Sequence, residues 1–192
     1  IHKNQKETKG QLFSYNELLS NDKEFKVLTL YFYSAIIYHI ASIMNLNDID
    51  PPKDIFFSGT ASKILNIVTS DTKLLEDLSK IIFNKVYEHD KGSKLIITQP
   101  ENPKELTSKG GLTIKDSEMT DDYASLKVIH HCVKGRDKIT YNDIENNQLV
   151  GSISDEVKSF NNLFIALDKE IDFEDTFNVS QDSFKTFKKE IN

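Results

Sequence analysis

The stretch Val27 to Met44, "VLTLYFYSAIIYHIASIM", carries no Asp, Glu, Lys or Arg across a length that approaches a bilayer span. Such a run is either a membrane helix or the central helix of a protein core. It contains Thr29, Tyr31, Tyr33, Ser34, Tyr38, His39 and Ser42, polar groups that lipid would have to accept and that a protein core can pair or leave at its edge. Basic residues do not cluster at either end. The run therefore reads as a buried helix from about Glu24 to Met44, and no membrane partner is expected. In "NDKE", Asn21 is placed to cap it, with Glu24 three residues on. Pro51 and Pro52 close the connection that follows. His39, inside the run, reads as a satisfied core histidine.

The remaining pattern alternates strands with helices. "SYNE", Ser14 to Glu17, is a capping box before a short helix. Ile55 to Ser58 reads as a buried strand, Ala61 to Val68 as a helix, and Ser70 or Asp71 as the cap of another helix ending near Tyr87. Lys94 to Thr98, "KLIIT", is a second short buried strand. Asn102 and Pro103 in "NPKELTSKGGL" look like the cap and first position of a further helix. Two buried strands separated by helices imply a parallel α/β layer. Past Ile114 the character changes. Lys115 to Asp122 is polar and acidic, "SLKVIHHCVKGRDKITY" reads as a β-hairpin turning at Gly135 to Asp137, and amphipathic helices follow near Ser154 to Ile171 and Ser180 to Ile191. The expected division is 1–115 for the α/β part and 116–192 for an appended α+β tail.

Composition narrows the function classes. Of 192 residues, 24 are basic and 30 acidic, giving a net charge of −6 with the Lys and Arg spread along the chain. A nucleic-acid partner would need a basic patch, so none is expected. Cys132 is the only cysteine, which excludes an internal disulfide framework and fits a reducing, cytoplasmic setting. The chain begins at Ile1 without a signal-peptide pattern, as an excised or processed product would. His130 and Cys132 would share one face of a strand, with His131 on the other; two ligands are too few for structural zinc. Asp116, Glu118, Asp121 and Asp122 lack the glycine and spacing of a calcium loop. No metal site is expected.

The segment "DIFFSGTASKIL", Asp54 to Leu65, stops an apolar strand on Ser58 and Gly59 and starts a helix at once. Such a joint can bring backbone N–H groups to a ligand. It resembles the adenosine motif of the actin and heat-shock-chaperone ATPase superfamily, in which an aspartate and an apolar strand lead into two small residues, a Ser/Thr pair and a basic residue. "NPKELTSKGGL" resembles that superfamily's second connecting segment, with Asn102, Pro103, Glu105, Gly110 and Gly111 in the matching positions. The resemblance covers about Glu24 to Ile114. It implies a partial ribonuclease-H-like layer and an adenosine site at Ser58, Gly59, Thr60, Ala61, Ser62, Lys63, Gly110 and Gly111. The implied cofactor is ATP or ADP with magnesium, bound in the full-length protein only. Thr60 stands where a second glycine is usual, Ser70 to Asp90 is an insertion, and neither phosphate-binding loop of the superfamily occurs. The resemblance thus implies the C-terminal part of an ATPase whose missing N-terminal half is its partner, and which is not catalytically competent alone. Two plainer readings stand beside it: Gly59 turning a corner, and Gly110 with Gly111 ending a helix. The alternative function is a self-assembly or protein-interaction module with no nucleotide.

Overall fold

The computed structural model describes residues 6–8, 11–13, 15–88, 94–100, 126–129, 139–140 and 150–191. Two helices meet end to end near the start: α1, Tyr15–Asn21, and α2, Lys23–Leu46. Because Asn21 is still helical, it cannot cap. Asp22 does so instead from an extended conformation, accepting hydrogen bonds from the N–H groups of Glu24 at 3.1 Å and Phe25 at 2.9 Å. The cap expected at Asn21 is therefore one residue later.

Helix α2 is the axis of the molecule, and its polar groups are largely accounted for by packing. Tyr33 is buried and bonds through its hydroxyl to Ser79 Oγ at 2.7 Å and the Leu75 carbonyl at 3.0 Å. Thr29 donates to the Phe25 carbonyl, and Tyr31 to Asn161 Oδ1. Tyr38 donates to Glu156 Oε2 at 3.3 Å. Ser34 Oγ is the buried side-chain polar atom without a partner among the described residues. The expected core histidine is a correction: His39 lies on the exposed face of α2. By length and composition alone α2 could cross a membrane, but Val27, Leu30, Tyr33, Ile37 and Ala41 are buried in the protein's own core.

Strands β3, Asp54–Phe56, and β4, Ile96–Thr98, lie side by side and parallel, with Ile55 opposite Ile97. Between them run a 3-10 helix, Thr60–Ile67, and α3, Thr72–Tyr87. Asp71 caps α3 by accepting from Lys73 N–H at 2.9 Å. The sheet is thus parallel as expected, but its strands are not buried on both faces. Ile55 and Ile97 face the core, whereas Phe56 and Ile96 are 57 % and 49 % exposed on the other side. The helix expected after Gly59 is present, wound as a 3-10 helix with a tighter turn than an α-helix. Glu76 of α3 is ion-paired with Lys80 at 2.6 Å. That bond first, and among lesser causes the Ile97 backbone N–H, holds the Glu76 carboxyl below its ordinary range.

The C-terminal helices are α4, Val150–Ile171, α5, Phe173–Phe177, and α6, Gln181–Ile191. They carry the stripe expected of amphipathic helices, and they bury it on α2. The Tyr31 ring lies 4.9 Å from Phe160, 5.2 Å from Phe164 and 5.0 Å from Phe187. Phe164 also meets Phe173 and Phe184. Lys85 of α3 pairs with Glu170 of α4. One hydrophobic cluster runs from Leu75 and Ile82 through Ile37 to Phe173 and Phe184. The hairpin expected in the tail is present as β5, Lys127–Ile129, antiparallel to β6, Ile139–Thr140; its expected turn lies outside the described residues. Asn47, just past α2, holds β5 with two bonds: its amide donates to the Lys127 carbonyl at 2.9 Å and its oxygen accepts the Lys127 N–H at 3.0 Å. Near the N-terminus, β1, Lys6–Thr8, pairs antiparallel with β2, Gln11–Phe13.

Candidate functional site at the strand–helix joint

Strand β3 ends where Phe57 N–H donates to the Thr98 carbonyl at 3.0 Å, and the Phe57 ring packs 5.5 Å from Tyr33. Ser58 follows, exposed. Gly59 then adopts φ 82° and ψ 154°, a region that only glycine occupies without strain. A Cβ there would meet no atom of the described residues within 4 Å. Its carbonyl accepts from Ser62 N–H at 3.1 Å and from Ser62 Oγ at 2.8 Å. The Ser62 carbonyl in turn accepts from Gln99 Nε2 at 2.9 Å.

These bonds sort the candidate residues. Ser62 is nearly buried, and its hydroxyl is turned inward as a brace of the turn. Ala61 and Lys63 are exposed beside it. Thr60 opens the 3-10 helix, so the first N–H groups of that helix lie just beyond the C-terminal ends of both strands. Gly110 and Gly111, and the Asn102–Leu112 segment with them, lie outside the described residues, as do His130, His131 and Cys132. Gln99 is the residue that sequence reasoning missed. Its position directly after the second strand was the available signal, because residues there end on the same sheet edge as Ser58. Among the described residues no group of three or more His, Cys, Asp or Glu is placed to hold a metal ion. Among the described residues the joint offers backbone groups and the Lys63 ammonium, which suit binding chemistry.

A second surface has a different character. On α2, Leu28, Phe32 and Ile36 recur every fourth residue and are 37 %, 58 % and 49 % exposed. They belong to one helical face that does not touch the core. At the opposite side of the same helix Tyr38 is half-buried. Burial first, then the Glu156 carboxylate, pushes its phenol up to about 12.

Comparison with protein-family models, with curated proteins and with solved structures finds no match.

Proposed function

We propose that the chain is a protein-interaction or assembly module. The observation that carries this reading is the row Leu28, Phe32 and Ile36, three large apolar side chains open to water on a helix that bears no charge from Val27 to Met44. Isolated apolar residues on a surface are ordinary; a contiguous row with no polar interruption marks a surface that another molecule covers. The outward Phe56 and Ile96 add to it, since parallel strands are normally covered on both faces. Cross-linking mass spectrometry in cells expressing the chain tests the reading. Links from Lys23, Lys26 or Lys53 to another polypeptide or to another copy are expected. A set made only of links within one chain overturns it.

A second reading rests on a separate observation, the glycine-only conformation of Gly59 with no described residue within 4 Å of where its Cβ would stand. It is adenosine-nucleotide binding at Ser58 to Lys63, within a ribonuclease-H-like layer completed by the rest of a longer ATPase. The backbone of Gly59 would carry the base or sugar, and Lys63 would lie beside it. This reading expects no hydrolysis by the chain alone, since positioned metal and phosphate-binding loops do that work. Titration of ADP and magnesium into the isotope-labelled chain, followed by NMR, should move the amide signals of Ser58 to Lys63. Unchanged spectra at millimolar nucleotide discard it.

A further inference from the structure

We infer that the exposed face of α2 docks a helix of another protein, one with an apolar stripe and Lys or Arg at both of its ends. The inference rests on the interaction-module reading and names the class of its partner. Leu28, Phe32 and Ile36 are exposed and stand outside the core. At about 100° per residue, Leu28 and Ile36 lie about 40° to either side of Phe32, and exposed His39 continues the row one turn on. Such a ridge is one helix wide, and its three-and-four spacing fits the groove of a second helix.

Charge selects the occupant. No Asp, Glu, Lys or Arg lies between Val27 and Met44, so the ridge itself is neutral. At its N-terminal end exposed Asp22 and Glu24 stand about 80° to either side of the row. Lys23 lies on the opposite side of the helix, and half-buried Lys26 lies about 120° round from Phe32. At the C-terminal end Asp48 and Asp50 are exposed, and exposed Glu88 ends α3 nearby. The last turn of α3 is tied to this end of α2: Asn45 Nδ2 donates to the Val86 carbonyl at 3.1 Å, and the Tyr87 hydroxyl donates to the Ile49 carbonyl. The negative ends of two helix dipoles thus meet beside these carboxylates. Of the lysines there, Lys85 is paired with Glu170, while Lys53 and Lys127 leave the balance negative. A second copy would bring the same acidic ends together in either orientation, and the net charge of −6 on each copy would add to the repulsion. An anionic lipid surface is repelled for the same reason. A helix with a cation at each end meets an apolar ridge along its length and carboxylates at both limits. From Glu24 to Asp48 the distance is about 36 Å at 1.5 Å per residue, so the partner's basic groups stand about 24 residues apart.

The test uses two synthetic helices of about 28 residues, with leucines at three-and-four spacing, identical except for paired Lys or paired Glu at each end. Each is titrated with the purified full chain and read by fluorescence anisotropy in low and high salt. The Lys-ended helix should bind about tenfold more tightly than the Glu-ended one, and the gap should narrow in high salt. Phe32→Glu should weaken binding of the Lys-ended helix by about tenfold while keeping the wild-type circular dichroism spectrum, since Phe32 stands outside the core. Phe56→Glu, on the sheet, should leave binding unchanged. Glu24→Gln combined with Asp48→Asn should reduce the preference for Lys ends by about threefold. Equal binding of the two helices, or binding indifferent to Phe32→Glu, overturns the inference. A Lys-ended helix that fails to bind at several hundred micromolar overturns it too; if the chain still links to another polypeptide in cells, the interaction-module reading stands without this partner. A dimer in sedimentation velocity that Phe32→Glu dissociates makes a second copy the occupant and likewise overturns it. A chain that links to nothing in cells and floats with neutral phosphatidylcholine vesicles overturns both readings.

Discussion

At Gly59 the backbone, not the surroundings, sets the residue. Its φ of 82° with ψ of 154° is strained for any L-side chain, yet among the described residues a Cβ would meet nothing. Gly59→Ala and Gly59→Val should therefore destabilise by similar amounts, about 1–3 kcal/mol each, measured by urea unfolding. A much larger cost for Val would mean that the space is filled. Tyr33→Phe removes one hydroxyl from a buried pair, but Ser79 Oγ keeps its own 2.7 Å bond to the Leu75 carbonyl, so the loss should be about 1 kcal/mol. Alkaline stability follows from the tyrosines. Tyr38 is raised from the ordinary phenol value to about 12 by burial and then by Glu156, and Tyr33 is raised further in the same direction. A raised phenol favours the fold while it is neutral. That contribution is whole below about pH 10 and is lost as pH rises through about 12. Tyr38→Phe should flatten the fall in stability over that window. An unchanged slope would remove Tyr38 as a cause. Single residues were the least legible scale in the sequence. Asn21 and Asp22 are equally good caps by type, and only the discovery that Asn21 ends α1 decides between them. His39 sits in an apolar run like its neighbours, and its exposure depends on the angle at which α3 and α4 leave α2 uncovered.

Elements were far more legible, because the signals behind them are periodic and redundant. The uncharged run gave α2 to within two residues, the "KLIIT" segment contained β4, and the alternating tail gave β5 with β6. What the pattern did not carry was how many strands share the sheet. Apolar strands read as buried on both faces, whereas the described sheet has two strands and leaves Phe56 and Ile96 open. The helix read after Gly59 is a 3-10 helix, in which the Ser62 N–H bonds back to the Gly59 carbonyl three residues earlier. The cap of α2 offers a direct check on this scale. Asp22→Ala should cost about 1 kcal/mol because two N–H groups lose their acceptor. Asn21→Ala should cost a few tenths at most. The two substitutions differ by one position, so thermal midpoints measured side by side decide which residue is the cap.

At the scale of the molecule, α2 belongs at once to the helix–sheet side and to the C-terminal helices, through one continuous cluster. Phe164, fully buried, touches Tyr31, Phe160, Phe173, Phe184 and Phe187. Phe164→Ala should destabilise by about 3–5 kcal/mol. Hydrogen exchange in α3 should accelerate along with exchange in α4, as one cooperative unit demands. Acceleration confined to α4 and α6 would show two units that unfold separately. The bracket at Asn47 has a consequence in time. A side-chain amide there bonds both backbone groups of Lys127, a residue 80 positions further along the chain. Neither bond can form until α2 has set the direction of Asn47 and β5 is extended, and the intervening loop must first be closed at an entropic cost that local helices do not meet. The Lys127 amide is accordingly a clock for the last stage of assembly: in refolding pulsed with deuterium it should become protected after the amides of α2 and α3, and Asn47→Ala should abolish its protection while leaving theirs on schedule.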